Sequence, residues 1–110
     1  MISRDTVMFA LACRIGQASG VRARDLVAEI CGDSSPALER QLRAVIEELR
    51  LEGRPICGHP STGYFIAANQ EELRRTTDFL RDRAAKSFAQ AARMLGVSVP
   101  ELAGQLRLPS

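Results

Sequence analysis

The feature that most limits what this chain can fold into is a change of period at Gly53. Before it, Leu38, Leu42, Val45, Ile46 and Leu49 recur at helical spacing on one face. Ser35-Pro36 opens that segment with a capping hydroxyl and a proline at the first helical position, where its missing N–H costs nothing. After Gly53, Arg54-Pro55-Ile56-Cys57 and Tyr64-Phe65-Ile66-Ala67 read as short extended runs. Between them, Gly58-His59-Pro60-Ser61-Thr62-Gly63 is turn chemistry. A one-sided helix leading straight into a hairpin needs other helices to cover its stripe.

The flanking segments supply them. Ser3 caps a first helix on which Val7, Met8, Leu11, Ala12 and Ile15 share a face, with Gly16 as its end and Gln17-Ala18-Ser19-Gly20 as a turn. Leu26, Val27 and Ile30 mark a second helix near Ala23 to Cys31, broken by Gly32-Asp33-Ser34. Past the hairpin, residues 71 to 95 contain no Gly or Pro. Leu73, Leu80, Ala84, Phe88, Ala91 and Leu95 keep helical spacing there, which predicts a helix of roughly 37 Å. Thr76 and Thr77 weaken its first turns as a seam. Gly96 stops it, and Ser98-Val99-Pro100-Glu101 fits a capping box for a last short helix with Leu102 and Leu106 inward. The expected fold class is mainly α with a small β-hairpin (α+β). Residues 1–68 form the folded domain, and 69–110 a helical extension for dimerisation or partner binding.

Composition narrows the function classes. At 110 residues the chain is one domain's worth of sequence, and 45% hydrophobic with 25% charged residues is ordinary for a globular protein. The longest apolar run, Val7 to Cys13, is too short to span a bilayer. Asp5 lies beside it, Arg14 closes it, and no small-residue cleavage site follows, so no membrane association and a cytoplasmic location are expected. Three cysteines cannot form a closed disulfide framework, and Cys13 and Cys31 lie in apolar helical stretches as small hydrophobes. Cys57 and His59 form a C-x-H pair, two of the four ligands a structural zinc needs; no metal and no cofactor is expected. Without a Gly-rich phosphate loop or nucleophile elbow, and with Glu47-Glu48 diverging around a helix, the chain reads as no enzyme.

Fourteen of the fifteen basic residues are Arg, a bias that with many alanines belongs to coding composition as much as to phosphate affinity. The net charge is only +2, and no long basic block occurs. A nucleic-acid role must therefore rest on geometry.

The run Leu42-Arg43-Ala44-Val45-Ile46-Glu47-Glu48-Leu49-Arg50-Leu51-Glu52-Gly53-Arg54-Pro55-Ile56, followed by Gly63-Tyr64-Phe65-Ile66-Ala67, resembles a winged helix-turn-helix signature. The likeness is to bacterial regulators of the biotin-operon-repressor type and to small phage-encoded winged-helix proteins, over about residues 4 to 67. It implies a third helix in the DNA major groove and a wing on the backbone or minor groove. Carried over, the helix candidates are Ser35, Ala37, Arg40, Gln41, Arg43 and Ala44. The wing candidates are Arg54, His59, Ser61 and Thr62, and Arg22 and Arg24 grip the flanking backbone. Arg40 suits a guanine edge, Gln41 an adenine edge, and Ser35 with the helix N-terminus a phosphate. The resemblance implies double-stranded DNA as partner, in transcription regulation or replication. The helically spaced Leu73, Leu80, Ala84, Phe88, Ala91 and Leu95 are expected to form the dimer or partner interface, with a homodimer as the expected assembly.

Each assignment has a competitor. Arg40 and Arg43 pair with Asp33, Glu39 or Glu47 as readily as with phosphate, and His59 at a tip is often only solvated. Tyr64 and Ile66 alternate onto one face and read as core, whereas Phe65 points the other way. It either packs under the long helix or marks a contact patch. Ala91-Ala92-Arg93-Met94-Leu95-Gly96-Val97-Ser98 with Leu102 and Leu106 resembles a second helix-turn-helix unit, although Pro100-Glu101 stands where polar and basic residues are expected. The alternative function is a winged-helix protein-interaction module, such as a phage or mobile-element product that binds a host complex, with little DNA affinity.

Overall fold

A computed structural model describes residues 2–105, with the side chain of Gln105 left undescribed. The elements are α1 (Arg4–Leu11), a 3-10 turn (Gln17–Ser19), α2 (Ala23–Cys31), α3 (Pro36–Leu51), β1 (Ile56–His59), β2 (Gly63–Ile66), α4 (Gln70–Leu95) and α5 (Val99–Gln105). The fold is mainly helical with one antiparallel hairpin. Two compact units divide it, Met1–Thr76 and Thr77–Ser110. The first therefore takes in the opening turns of α4 as well as residues 1–68. No helix among the described residues is long and apolar enough to cross a membrane.

Local chemistry accounts for α3 at both ends. Ser35 Oγ accepts from the Leu38 N–H at 3.2 Å, and Pro36 occupies the first turn. At the other end Gly53 takes φ +93°, its N–H bonds the Arg50 carbonyl, and the Arg54 N–H bonds that of Leu49. That is a complete Schellman closure. Between the caps, Leu42, Ile46 and Leu49 are buried. They join Val7 and Leu11 of α1, Leu26 and Val27 of α2, Val21 and Ile56 in one core. Arg4 of α1 pairs with Glu52 at the end of α3.

Helix α1 is shorter than its apolar pattern implies. Ser3 and Thr6 form a reciprocal cap at its start, but it ends at Leu11, not at Gly16. Backbone pairing wins there. The Gly16 N–H donates to the Ile66 carbonyl, and the Ile66 N–H donates to that of Arg14. Ile15 thus lies beside β2, and both it and Cys13 are exposed. Val21 pairs with Tyr64 in both directions, at 2.9 and 2.7 Å. Gly63, at φ +83°, is required there: a Cβ would stand 2.1 Å from the Val21 carbonyl oxygen.

The hairpin has two covered faces. Ile56 belongs to the main core, with Tyr64 and Ile66 half-buried against it. Cys57 and its cross-strand partner Phe65 are buried on the opposite face. There Cys57 Sγ donates to the Glu72 carbonyl, and the Gly58 N–H donates to Thr76 Oγ1. Phe65 is therefore packed, and Thr76 is a buried hydrogen-bonding residue of the first unit, not a weak point in a seam. Glu72 ties three segments together. Its carboxylate accepts from the Gln17 and Ala68 N–H groups at 3.0 and 2.9 Å, while its own N–H donates to Asn69 Oδ1. Those two backbone donors, with Arg75 adding to them, hold the Glu72 carboxyl below its usual range.

In the second unit, Gly96 at φ +71° ends α4, and Ser98 Oγ accepts the Glu101 N–H at 3.2 Å. Ala92 and Leu102 are buried. Leu106 lies outside the described residues.

Candidate nucleic-acid interface

The surface that the resemblance selects lies on α3, opposite the core stripe. At 3.6 residues per turn, Ala37, Arg40, Gln41 and Ala44 gather on one side, and all four are exposed. Two alanines leave the backbone approachable, and Arg40 and Gln41 supply forked hydrogen-bonding groups between them. Arg40 makes no ion pair among the described residues. Arg43 is exposed too, drawn toward Glu39 at 3.9 Å, an i,i+4 pair that salt screens and that contributes little. Ser35 serves as the cap, so its hydroxyl is engaged with α3 itself. One turn further, Glu47 and Glu48 are exposed and acidic. The basic half of this face is thus its N-terminal half.

The hairpin tip forms the second element. The Thr62 N–H bonds the His59 carbonyl at 3.2 Å around Pro60, whose ring presets the turn. Ser61 N–H and Oγ both meet His59 Nδ1, at 3.1 and 2.7 Å. Arg22, at the start of α2, donates through Nη2 to the Ser61 carbonyl at 3.1 Å. His59 and Ser61 are exposed, and Arg22 joins the tip to the start of α2.

Other expected residues are placed differently. Arg54 precedes β1, so the whole strand from Ile56 to His59, roughly 10 Å of rise, lies between it and the tip. It belongs to the base of the hairpin. The Thr62 hydroxyl is enclosed, without a hydrogen-bond partner among the described residues, because Gly20 lies against the Thr62 backbone. It faces inward and cannot be a contact atom on this surface. Arg24 is exposed on α2, with no bond to the tip among the described residues. Of the seam residues, Leu73 is half-buried in the first unit. In the second, Leu80 is 40% and Leu95 63% exposed, Ala84 is exposed, and Phe88 and Ala91 are half-buried. Met94, which helical spacing did not select, is 87% exposed.

The sequence reading also missed a polar recess of about 410 Å³ beside the tip, lined by Arg14, Gln17, Arg22, Asp25, Ser61 and Thr62. The Val21–Tyr64 and Arg14–Ile66 backbone bonds and the Arg22–Ser61 tether bring these residues together, and nothing in residue spacing announces them. A second, more apolar recess of about 540 Å³ lies along α1 and α2, lined by Phe9, Ala10, Cys13 and Ile30 with Asp5 and Glu29. Phe9 there is 85% exposed.

Cys57 Sγ and His59 Nδ1 are each engaged elsewhere, with the Glu72 carbonyl and with Ser61. Burial pushes the Cys57 thiol up, away from the thiolate a metal binds, and its Sγ is turned to Glu72. The described residues hold no cluster of three or more His, Cys, Asp or Glu side chains suited to a metal. No protein-family model, no curated protein and no solved structure matches this chain.

Proposed function

We propose that this chain is a DNA-binding protein of the winged-helix type, bacterial or phage-encoded, acting in transcription regulation or replication without catalytic chemistry. It sets the N-terminal half of α3 in a major groove and lays the hairpin tip on the backbone or minor groove. A homodimer formed through the apolar face of α4 beyond Thr77 presents two such surfaces to paired half-sites. The observation that carries the reading is the division of the exposed face of α3. Ala37, Arg40, Gln41 and Ala44 occupy the half that a recognition helix inserts, and Glu47 and Glu48 lie in the half that stays out of the groove.

The test is fluorescence anisotropy against a randomised duplex pool at low and near-physiological salt, with light-scattering mass on the same sample. Salt-sensitive binding by a dimer supports the reading, and absence of binding even at low salt overturns it. On a duplex selected from the pool, Arg40→Ala lowers affinity by about 1–3 kcal/mol. Unchanged affinity would remove α3 from the DNA face.

The Phe9 recess favours a second reading, in which the same fold holds a protein partner. Phe9→Ser then abolishes the partner complex and leaves duplex binding unaltered.

A further inference from the structure

His59 is the chain's single histidine, and its ring is held from one side. The Ser61 backbone N–H reaches Nδ1 at 3.1 Å, and Ser61 Oγ lies 2.7 Å from the same atom. A backbone amide only donates, so Nδ1 is the acceptor. In a neutral imidazole the proton is then on Nε2, on the side of the ring away from Ser61. The hydroxyl shares the same lone pair as a second donor. Ser61 is itself fixed, because its carbonyl accepts from Arg22 and the His59–Thr62 hydrogen bond closes the turn.

We propose that the His59–Thr62 turn holds His59 as its Nε2–H tautomer, so that the hairpin tip offers a neutral, outward hydrogen-bond donor to an acceptor on duplex DNA. This deepens the DNA-binding reading above and rests on it for the acceptor. Two acceptors share that chemistry, a phosphate oxygen and a minor-groove base atom such as adenine N3 or thymine O2. A neutral donor displaces no counterion, so His59 contributes orientation and leaves the salt slope of binding unchanged.

Ser61 is accordingly a positioning residue and His59 the contact. Asparagine and glutamine separate the two ring nitrogens. Asn at position 59 retains an oxygen near Nδ1 to accept the Ser61 N–H but has no donor at the Nε2 position; Gln places an amide donor there.

The test begins with a long-range proton–nitrogen correlation spectrum of uniformly ¹⁵N-labelled full-length protein at about pH 8, where free imidazole is neutral. A pure Nε2–H pattern is expected, and an Nδ1–H or averaged pattern overturns the proposal. In anisotropy titrations against the selected duplex, His59→Asn loses about fivefold in affinity with an unchanged salt slope, the worth of one hydrogen bond. His59→Gln stays within about twofold of wild type, since it lacks only the turn bond. Wild-type affinity in His59→Asn overturns the assignment. Netropsin, which fills A·T minor grooves, erases the His59→Asn effect if the acceptor is a base and spares it if the acceptor is a phosphate. A wild-type protein that binds no duplex at low salt overturns the DNA reading and the acceptor with it. The tautomer, read on the free protein, is decided separately.

Discussion

Helices α3 and α4 carry comparable apolar stripes and use them differently. In α3 the stripe is consumed within its own unit, with Leu42, Ile46 and Leu49 buried and the opposite face polar. In α4 beyond Thr77, Leu80, Met94 and Leu95 remain exposed. Apolar residues at helical spacing therefore carry two meanings. On α3 they record a core already closed, which frees the other face for recognition. On α4 they leave apolar surface uncovered within the described residues, the surface that the proposed homodimer would bury.

The contrast is strongest in stability. Leu42→Ala removes a side chain at the centre of the first core and lowers unfolding free energy by about 2–5 kcal/mol in chemical denaturation. A smaller loss would mean that the α3 stripe is not the closed face described. Ser35→Ala deletes the α3 cap and costs about 1 kcal/mol in the same measurement. Leu80→Glu sits on the other side of the comparison. At protein concentrations where the wild type is monomeric, it shifts stability by less than about 0.5 kcal/mol. At higher concentration it converts a dimeric mass to a monomeric one in light scattering. A large stability loss in the monomer, or an unaltered dimer mass, would break the distinction between the two helices.

The smallest effect concerns Glu72. Its folded-state carboxyl is held below the ordinary value, so the stability it adds is fully present above that value. This stability is lost as pH falls through the folded-state pKa. Thermal melts of wild type and Glu72→Gln should therefore differ at neutral pH and converge in acid. The amide still accepts one backbone bond but not both. A difference that widened on acidification would reverse the sign assigned to Glu72.

What the sequence made legible was local. The Ser35-Pro36 start, the α3 stripe, the Gly53 stop and the hairpin each depend on neighbours within a turn or two, and all of them stand in the fold. The misplaced features are those set by partners far along the chain. Ile15 looked helical because its spacing continued the α1 stripe, yet backbone bonds to Ile66 claim that segment. Thr76 looked like a flaw in an apolar seam because its partner, the Gly58 N–H, lies in the hairpin. In the candidate interface, Ala37, Arg40 and Ala44 lie opposite the α3 stripe by periodicity alone, whereas Gln41 came with the resemblance. The enclosure of Thr62, the distance of Arg54 from the tip and the Arg22–Ser61 tether were not, since each depends on how the hairpin meets α2.

The pairing of Ile15 and Val21 with β2 has a consequence in time as well as in space. It closes a loop containing α2, α3 and β1, so its entropic cost falls due only when sequence-distant segments meet. By sequence separation the three helices are expected to meet first and the outer pairing of the hairpin later. A substitution at Gly63 should then quicken unfolding far more than it slows folding. The edge that orients the tip would be the last part of the chain to be assembled and the first to be given up.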